Sequence, residues 1–193
     1  MGNPIANPTD TTDLADRILK VSLRYGDFVL SSGRRSRYYV DKYAFLCDPQ
    51  LLREVASALL ERVPPETERI AAVEGGAGLL VTAMSLESGI PFLIVRKGRK
   101  GYGPDNWLEG DWHPQMPVVL VEDIVTTGAQ MAAAAQALAA GDLHILRLLC
   151  VVNRGETTGF ASEIDCIVRL SSDDDVVMSM YPPPEHTTSK TRR

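Results

Sequence analysis

The chain has 193 residues, 45% of them hydrophobic and 23% charged, which favours one domain of ordinary size with a packed core. A net charge of -5 argues against a nucleic-acid partner, and the apolar run from Leu143 to Val152 carries charges and is too short to span a bilayer. Met1 to Asp13 lacks the basic and apolar regions of a signal peptide, and Cys47, Cys150 and Cys166 are scattered without metal-ligand spacing, so buried free thiols in a cytoplasmic protein are expected.

In chain order, residues 1–12 read as a flexible lead. Asp13 is placed to cap a helix running to about Tyr25, with Leu14, Ile18, Val21 and Leu23 on one face and Gly26 ending it. Phe28 to Leu30 and Tyr38 to Asp41 flank the polar turn Ser31-Ser32-Gly33-Arg34-Arg35-Ser36, which predicts a hairpin. Asp48-Pro49 opens a helix to about Val63, and Pro64-Pro65 closes it. Strands then alternate with helices. Ile70 to Val73, Pro91 to Val95, Val118 to Val121, Ile145 to Val152 and Cys166 to Leu170 are strand candidates. Helices are expected to about Ser88 and from about Ala129 to Ala140. This order predicts an α/β fold, a mostly parallel sheet flanked by helices, with residues 13–45 as a small N-terminal element ahead of it. The segment after Asp173 is polar and proline-rich and reads as a loose tail.

The most informative stretch is Val118-Val119-Leu120-Val121-Glu122-Asp123-Ile124-Val125-Thr126-Thr127-Gly128-Ala129. An apolar strand ends in two carboxylates, and a short hydroxyl- and glycine-containing loop leads into an alanine-rich helix. Carboxylates suit sugar hydroxyls or a magnesium ion, while the loop and helix start suit a phosphate, so the string predicts a sugar-phosphate site at the carboxyl edge of the sheet.

The string resembles the phosphoribosyl pyrophosphate (PRPP) signature of type I phosphoribosyltransferases. That resemblance implies that Glu122 and Asp123 bind the ribose hydroxyls, and that Ile124, Val125, Thr126, Thr127, Gly128, Ala129 and Gln130 form the loop for the 5′-phosphate. Many relatives carry a serine or threonine where this chain has Ala129 or Gln130. Three further segments are similar to orotate phosphoribosyltransferases. Phe28 to Asp41 resembles their hood segment, which implies that Tyr39 stacks on the orotate ring and that Ser31, where many relatives have a lysine, faces the same site together with Thr126. Arg96-Lys97-Gly98-Arg99-Lys100-Gly101-Tyr102-Gly103 resembles the mobile basic loop of that family. It implies that Lys100 meets the pyrophosphate leaving group across a homodimer interface, with Arg96 and Lys97 assisting. Tyr102 replaces the usual histidine, and a tyrosine carries no positive charge near neutral pH. Arg154, in Val152-Asn153-Arg154-Gly155-Glu156, matches the arginine that pairs with the orotate carboxylate. The glycine-rich turn Glu74-Gly75-Gly76-Ala77-Gly78 resembles the pyrophosphate loop, with Glu74 an awkward neighbour for an anion unless it points away.

The activity implied is transfer of the phosphoribosyl group of PRPP to orotate in UMP biosynthesis, with magnesium held mainly by PRPP and no direct metal ligand from the protein. Lys100 and Asp123 are the catalytic candidates. Two other functions fit the same fold: a phosphoribosyltransferase for another base, and a non-catalytic PRPP-binding regulator.

Overall fold

The computed structural model describes residues 11–30, 33, 35–97, 107–155 and 164–184, with the side chains of residues 11 and 12 excepted. Of the expected site residues, Ser31, Lys100 and Tyr102 lie outside the described residues, as does most of the lead, residues 1–10.

Helix α1 (Thr11–Ser22) buries Leu14, Ile18 and Leu19. It ends three residues earlier than its periodicity suggested. Ser22 Oγ donates back to the Ile18 carbonyl at 2.7 Å, and the chain passes directly into strand β1 (Leu23–Val29). Gly26 therefore does not stop the helix. It lies where the pairing of β1 with antiparallel β2 (Arg35–Val40) slips between Tyr25 and Phe28, a place for a bulge. The hairpin of the hood is present as expected, with longer strands. A four-residue turn of helix, α2 (Tyr43–Leu46), follows and plants Phe45 and Leu46 in the core. In α3 (Pro49–Leu60), Asp48 accepts from the N–H groups of Gln50 and Leu51, and Pro49 starts the helix where no N–H is needed.

Among the described residues, six strands form the main sheet: β3 (Arg69–Val73), β4 (Phe92–Val95), β5 (Leu108–Glu109), β6 (Pro117–Val125), β7 (His144–Asn153) and β8 (Asp165–Arg169). Their order is β5-β4-β3-β6-β7-β8, parallel except for the short edge strand β5. Helix α4 (Gly76–Ser88), together with α1 and α3, packs on one face of the sheet, and α5 (Ala129–Ala140) packs on the other. Alternation along the strands serves both layers: Ile70 and Ala72 join the first core, Ala71 and Val73 the second.

The chain leaves β3 in one direction to β4 and then crosses to β6 on the other side. Neighbouring strands β3 and β6 thus bracket the point where the winding reverses, and ligands of open α/β sheets bind in the crevice at such a point.

Two expectations are corrected. The start of the segment read as a loose tail is helix α6 (Asp174–Met180), capped by Asp173, with Val177 buried. Its Asp174 carboxylate accepts from Ser36 Oγ at 3.0 Å and from the Arg37 N–H at 2.6 Å, which fastens it to the hood. Of the three cysteines, only Cys150 is fully buried; Cys166 is half-buried beside it on β8, and Cys47 is exposed.

Candidate active site

Glu122 and Asp123 lie inside β6, not beyond it, because Ile124 and Val125 continue the pairing with Val152 and Asn153 of β7. Both side chains are nearly inaccessible. Their partners differ. Asp123 Oδ1 accepts from the Ile124 N–H at 2.7 Å, and Oδ2 accepts from Lys42 Nζ at 2.8 Å. Glu122 Oε1 accepts from the Asp123 N–H at 3.1 Å, while Oε2 is buried with no hydrogen-bond partner. Burial, and then the like charge of Asp123, push the Glu122 carboxyl up to about 7, against the opposing pull of the Asp123 N–H and of the Lys42 and Lys97 cations. An acceptor left without a partner in this setting is suited to a ligand hydroxyl or to a water of a hydrated cation. Among the described residues, no cluster of three or more His, Cys, Asp or Glu side chains could hold a metal ion by itself.

Glu122 and residues 124–131 line a cavity of about 240 Å³ at the N-terminus of α5. Gly128, the N-cap residue, takes the left-handed conformation there (φ 76°) and has no side chain to cap the helix. Thr127 Oγ1 accepts from the Ala129 N–H at 3.3 Å. The first-turn N–H groups and the positive end of the helix make this cavity a place for an anion.

The glycine-rich turn follows β3. A Cβ on Gly76 would lie 2.2 Å from Asp123 Oδ2, so only glycine allows the turn to pass this close to the carboxylate. Glu74 points away from the turn. It accepts from the Lys97 N–H at 2.9 Å and pairs with Arg96 at 3.5 Å, and Arg96 reaches Glu109 at 3.4 Å on its other side. The Lys97 ammonium comes within 3.7 Å of the Cβ position of Gly75. The base of the basic loop is therefore tied to the glycine-rich turn, with Lys97 over it and Arg96 held between two carboxylates.

The ends of β7 and β2 meet at Arg154. Arg154 donates its N–H to the Val125 carbonyl at 2.9 Å, and its buried guanidinium stacks 4.2 Å above the Tyr38 ring, near Ser36 Oγ. Tyr39 is on the opposite face of β2, 43% exposed, with its ring 5.7 Å from that of Phe28. The structure thus joins Arg154 to Tyr38 rather than to Tyr39, since successive strand residues face opposite ways. Sequence reasoning missed Lys42 and the role of Tyr38. The alternating burial of β2 was visible as Ser36, Tyr38 and Val40, but no local signal marked Lys42.

The curated relatives decide the family. An orotate phosphoribosyltransferase of Methanocella arvoryzae is 39% identical over 146 residues, covering 75% of this chain and 83% of the relative. The chain belongs to the orotate phosphoribosyltransferases. A second orotate phosphoribosyltransferase, of Methanopyrus kandleri, is 41% identical over 160 residues, 82% of this chain and 86% of that one. The crystal structure of orotate phosphoribosyltransferase from Aeropyrum pernix superposes with a TM-score of 0.72 at 29% identity, covering 86% of this chain and 97% of that chain. No protein-family model matches the chain. For an orotate phosphoribosyltransferase, the parallel sheet with its reversal point between β3 and β6 is the expected type I architecture.

Proposed function

We propose that this protein transfers the phosphoribosyl group of PRPP to orotate, giving orotidine 5′-monophosphate and pyrophosphate in pyrimidine biosynthesis. The observation that carries the reading is the meeting, at the reversal point of the sheet, of Asp123 and Glu122 with a cavity at the N-terminus of α5. That arrangement offers acceptors for ribose hydroxyls beside donors for a 5′-phosphate. Glu122 Oε2 and Asp123 take the hydroxyls, and the first-turn N–H groups of α5 with Thr126 and Thr127 take the phosphate. Lys97 supplies positive charge at the glycine-rich turn for the pyrophosphate, with Arg96 behind it. Lys100 and Tyr102 meet the departing pyrophosphate, Lys100 by charge and Tyr102 by hydrogen bonding. Arg154 recognises the orotate carboxylate, with Ser31, Tyr39 and Thr126 around the base.

Catalysis by these groups is alignment of base and sugar together with stabilisation of charge on the leaving group, without a covalent intermediate. Magnesium bound with PRPP would screen the pyrophosphate charge, and Glu122 and Asp123 fit it as acceptors for its waters rather than as a closed ligand set. A homodimer is part of the proposal. Leu79 and Leu86, seven apart on α4, expose one apolar face that a second copy would cover. No helix among the described residues is long and apolar enough to cross a membrane, and three unpaired thiols fit a reducing, cytoplasmic setting.

The deciding experiment mixes the purified protein with PRPP, magnesium chloride and orotate and follows the loss of orotate absorbance. Turnover is expected; no turnover with orotate alongside activity on another base rejects the reading. Lys100→Ala is expected to lower turnover far more than it weakens orotate binding, and equal losses would remove Lys100 from its role. Sedimentation that finds a fully active monomer would remove the dimer. Ala129→Ser, which adds a hydroxyl to the uncapped first turn of α5, is expected to tighten PRPP binding by up to about 10-fold. Unchanged affinity in a calorimetric titration would place the phosphate elsewhere.

A further inference from the structure

Lys42 belongs to none of the motifs that mark the site. It lies two residues after the end of β2, and its backbone is fixed by the two core residues Phe45 and Leu46 of α2, which starts at the next position. From there its side chain crosses to the far end of β6 and donates to Asp123 Oδ2 at 2.8 Å, a contact between residues 81 apart in the chain. The Asp123 side chain is 3% exposed and that of Lys42 27%. Burial works against the ammonium, but the hydrogen bond and charge of Asp123, followed by the charge of Glu122, outweigh it and hold the Lys42 proton more tightly than usual.

The path of this contact is specific. Lys42 Cε lies 3.1 Å, and Asp123 Oδ2 2.2 Å, from the position a Cβ on Gly76 would occupy. The ion pair therefore runs across the bare face of the glycine-rich turn, and hood, turn and acidic strand converge on it. With Oδ1 taken by the Ile124 N–H and Oδ2 by Lys42, the carboxylate has one orientation. Each oxygen keeps a second lone pair for a hydroxyl.

We infer that Lys42 is a positioning residue: its ion pair sets the orientation in which Asp123 receives the ribose hydroxyls of PRPP, and so couples placement of the hood to the sugar site. This inference rests on the proposed use of PRPP. Charge-assisted hydrogen bonds of this kind fix geometry as well as adding energy.

The test is calorimetric titration of the full-length protein with PRPP in magnesium chloride, without orotate. Lys42→Met is expected to weaken PRPP binding at least about 10-fold, with Lys42→Arg recovering most of the loss. In an Asp123→Asn background, the same Lys42→Met change is expected to alter PRPP affinity less than about twofold, because the group it positions is gone. Where Lys42→Met alone fails to fold, the Asp123→Asn pair still decides: a loss of PRPP affinity of about 10-fold or more on adding Lys42→Met there overturns the inference. PRPP binding indifferent to Lys42→Met, or an equal loss in both backgrounds, overturns the inference. PRPP binding that depends on Lys42 in a protein that does not turn over orotate overturns the assigned base alone.

Discussion

An alanine at position 76 is expected to lower kcat/KM for PRPP by about 100-fold, the scale on which a displacement of about 1 Å at a reacting centre acts. The added methyl would stand 2.2 Å from Asp123 Oδ2 and 3.1 Å from both Leu46 Cδ1 and Lys42 Cε. Leu46 is a core residue with little room to retreat. The carboxylate is tied to the Ile124 N–H on one side and to Lys42 on the other. Either the turn lifts away from the sheet or Asp123 rotates out of place, and both disturb the proposed sugar site. Overpacking of this kind also costs about 1–3 kcal/mol of stability. The control is Gly78→Ala, two residues along in α4, where the new Cβ meets only Ile94 Cδ1 at 3.8 Å. Alanine is favoured over glycine within a helix, so Gly78→Ala should keep stability, which separates crowding at Gly76 from the loss of a glycine in the turn. Steady-state kinetics on the two variants check this, and equal activity in both would show that the close approach at Gly76 does not matter.

The second large effect is a pH-dependent gain in stability from Glu122→Gln. The Glu122 carboxyl is raised from 4.5 to about 7 by burial first and by Asp123 second. Between these two values the folded protein holds a proton that the unfolded chain has released. Stability from this group is therefore fully present below about 4.5 and is lost as pH rises through about 7. At about 1.4 kcal/mol per unit, ionising Glu122 costs up to roughly 3 kcal/mol above pH 7. Glutamine removes the titration. Denaturation midpoints of the variant and the unmodified protein should nearly coincide at pH 5, with the variant more stable at pH 8. A difference independent of pH would show that Glu122 is not the titrating group. The same substitution should weaken PRPP binding, since Oε2 is the acceptor without a partner. The protein thus carries an ionisation cost at its proposed sugar site that a bound hydroxyl would reduce.

Much of the fold was legible because local rules and tertiary packing agreed. Asp48-Pro49 caps and starts α3 as its chemistry requires, and the apolar runs at 70–73 and 118–121 are strands buried on both faces. Misreadings occurred where a tertiary partner overrode local preference. Helical spacing continued past Ser22, but β1 pairs with β2 from Leu23 onward. The polar, proline-rich segment after Asp173 read as a loose tail, but Asp174 bonds β2 and Val177 is buried.

For the site, the string from Val118 to Ala129 by itself determined where a sugar phosphate is expected, because strand, carboxylates, loop glycine and helix start are consecutive in the chain. What lies far apart in the chain was decided only by the tertiary structure. Glu74 turns away to hold Arg96 and the Lys97 N–H. Arg154 meets Tyr38 rather than Tyr39. Lys42 crosses the face of Gly76 to reach Asp123. Local spacing carries the period of a strand or the cap of a helix, but the direction in which a buried charge finds its partner depends on which elements the reversal at β3 and β6 brings side by side.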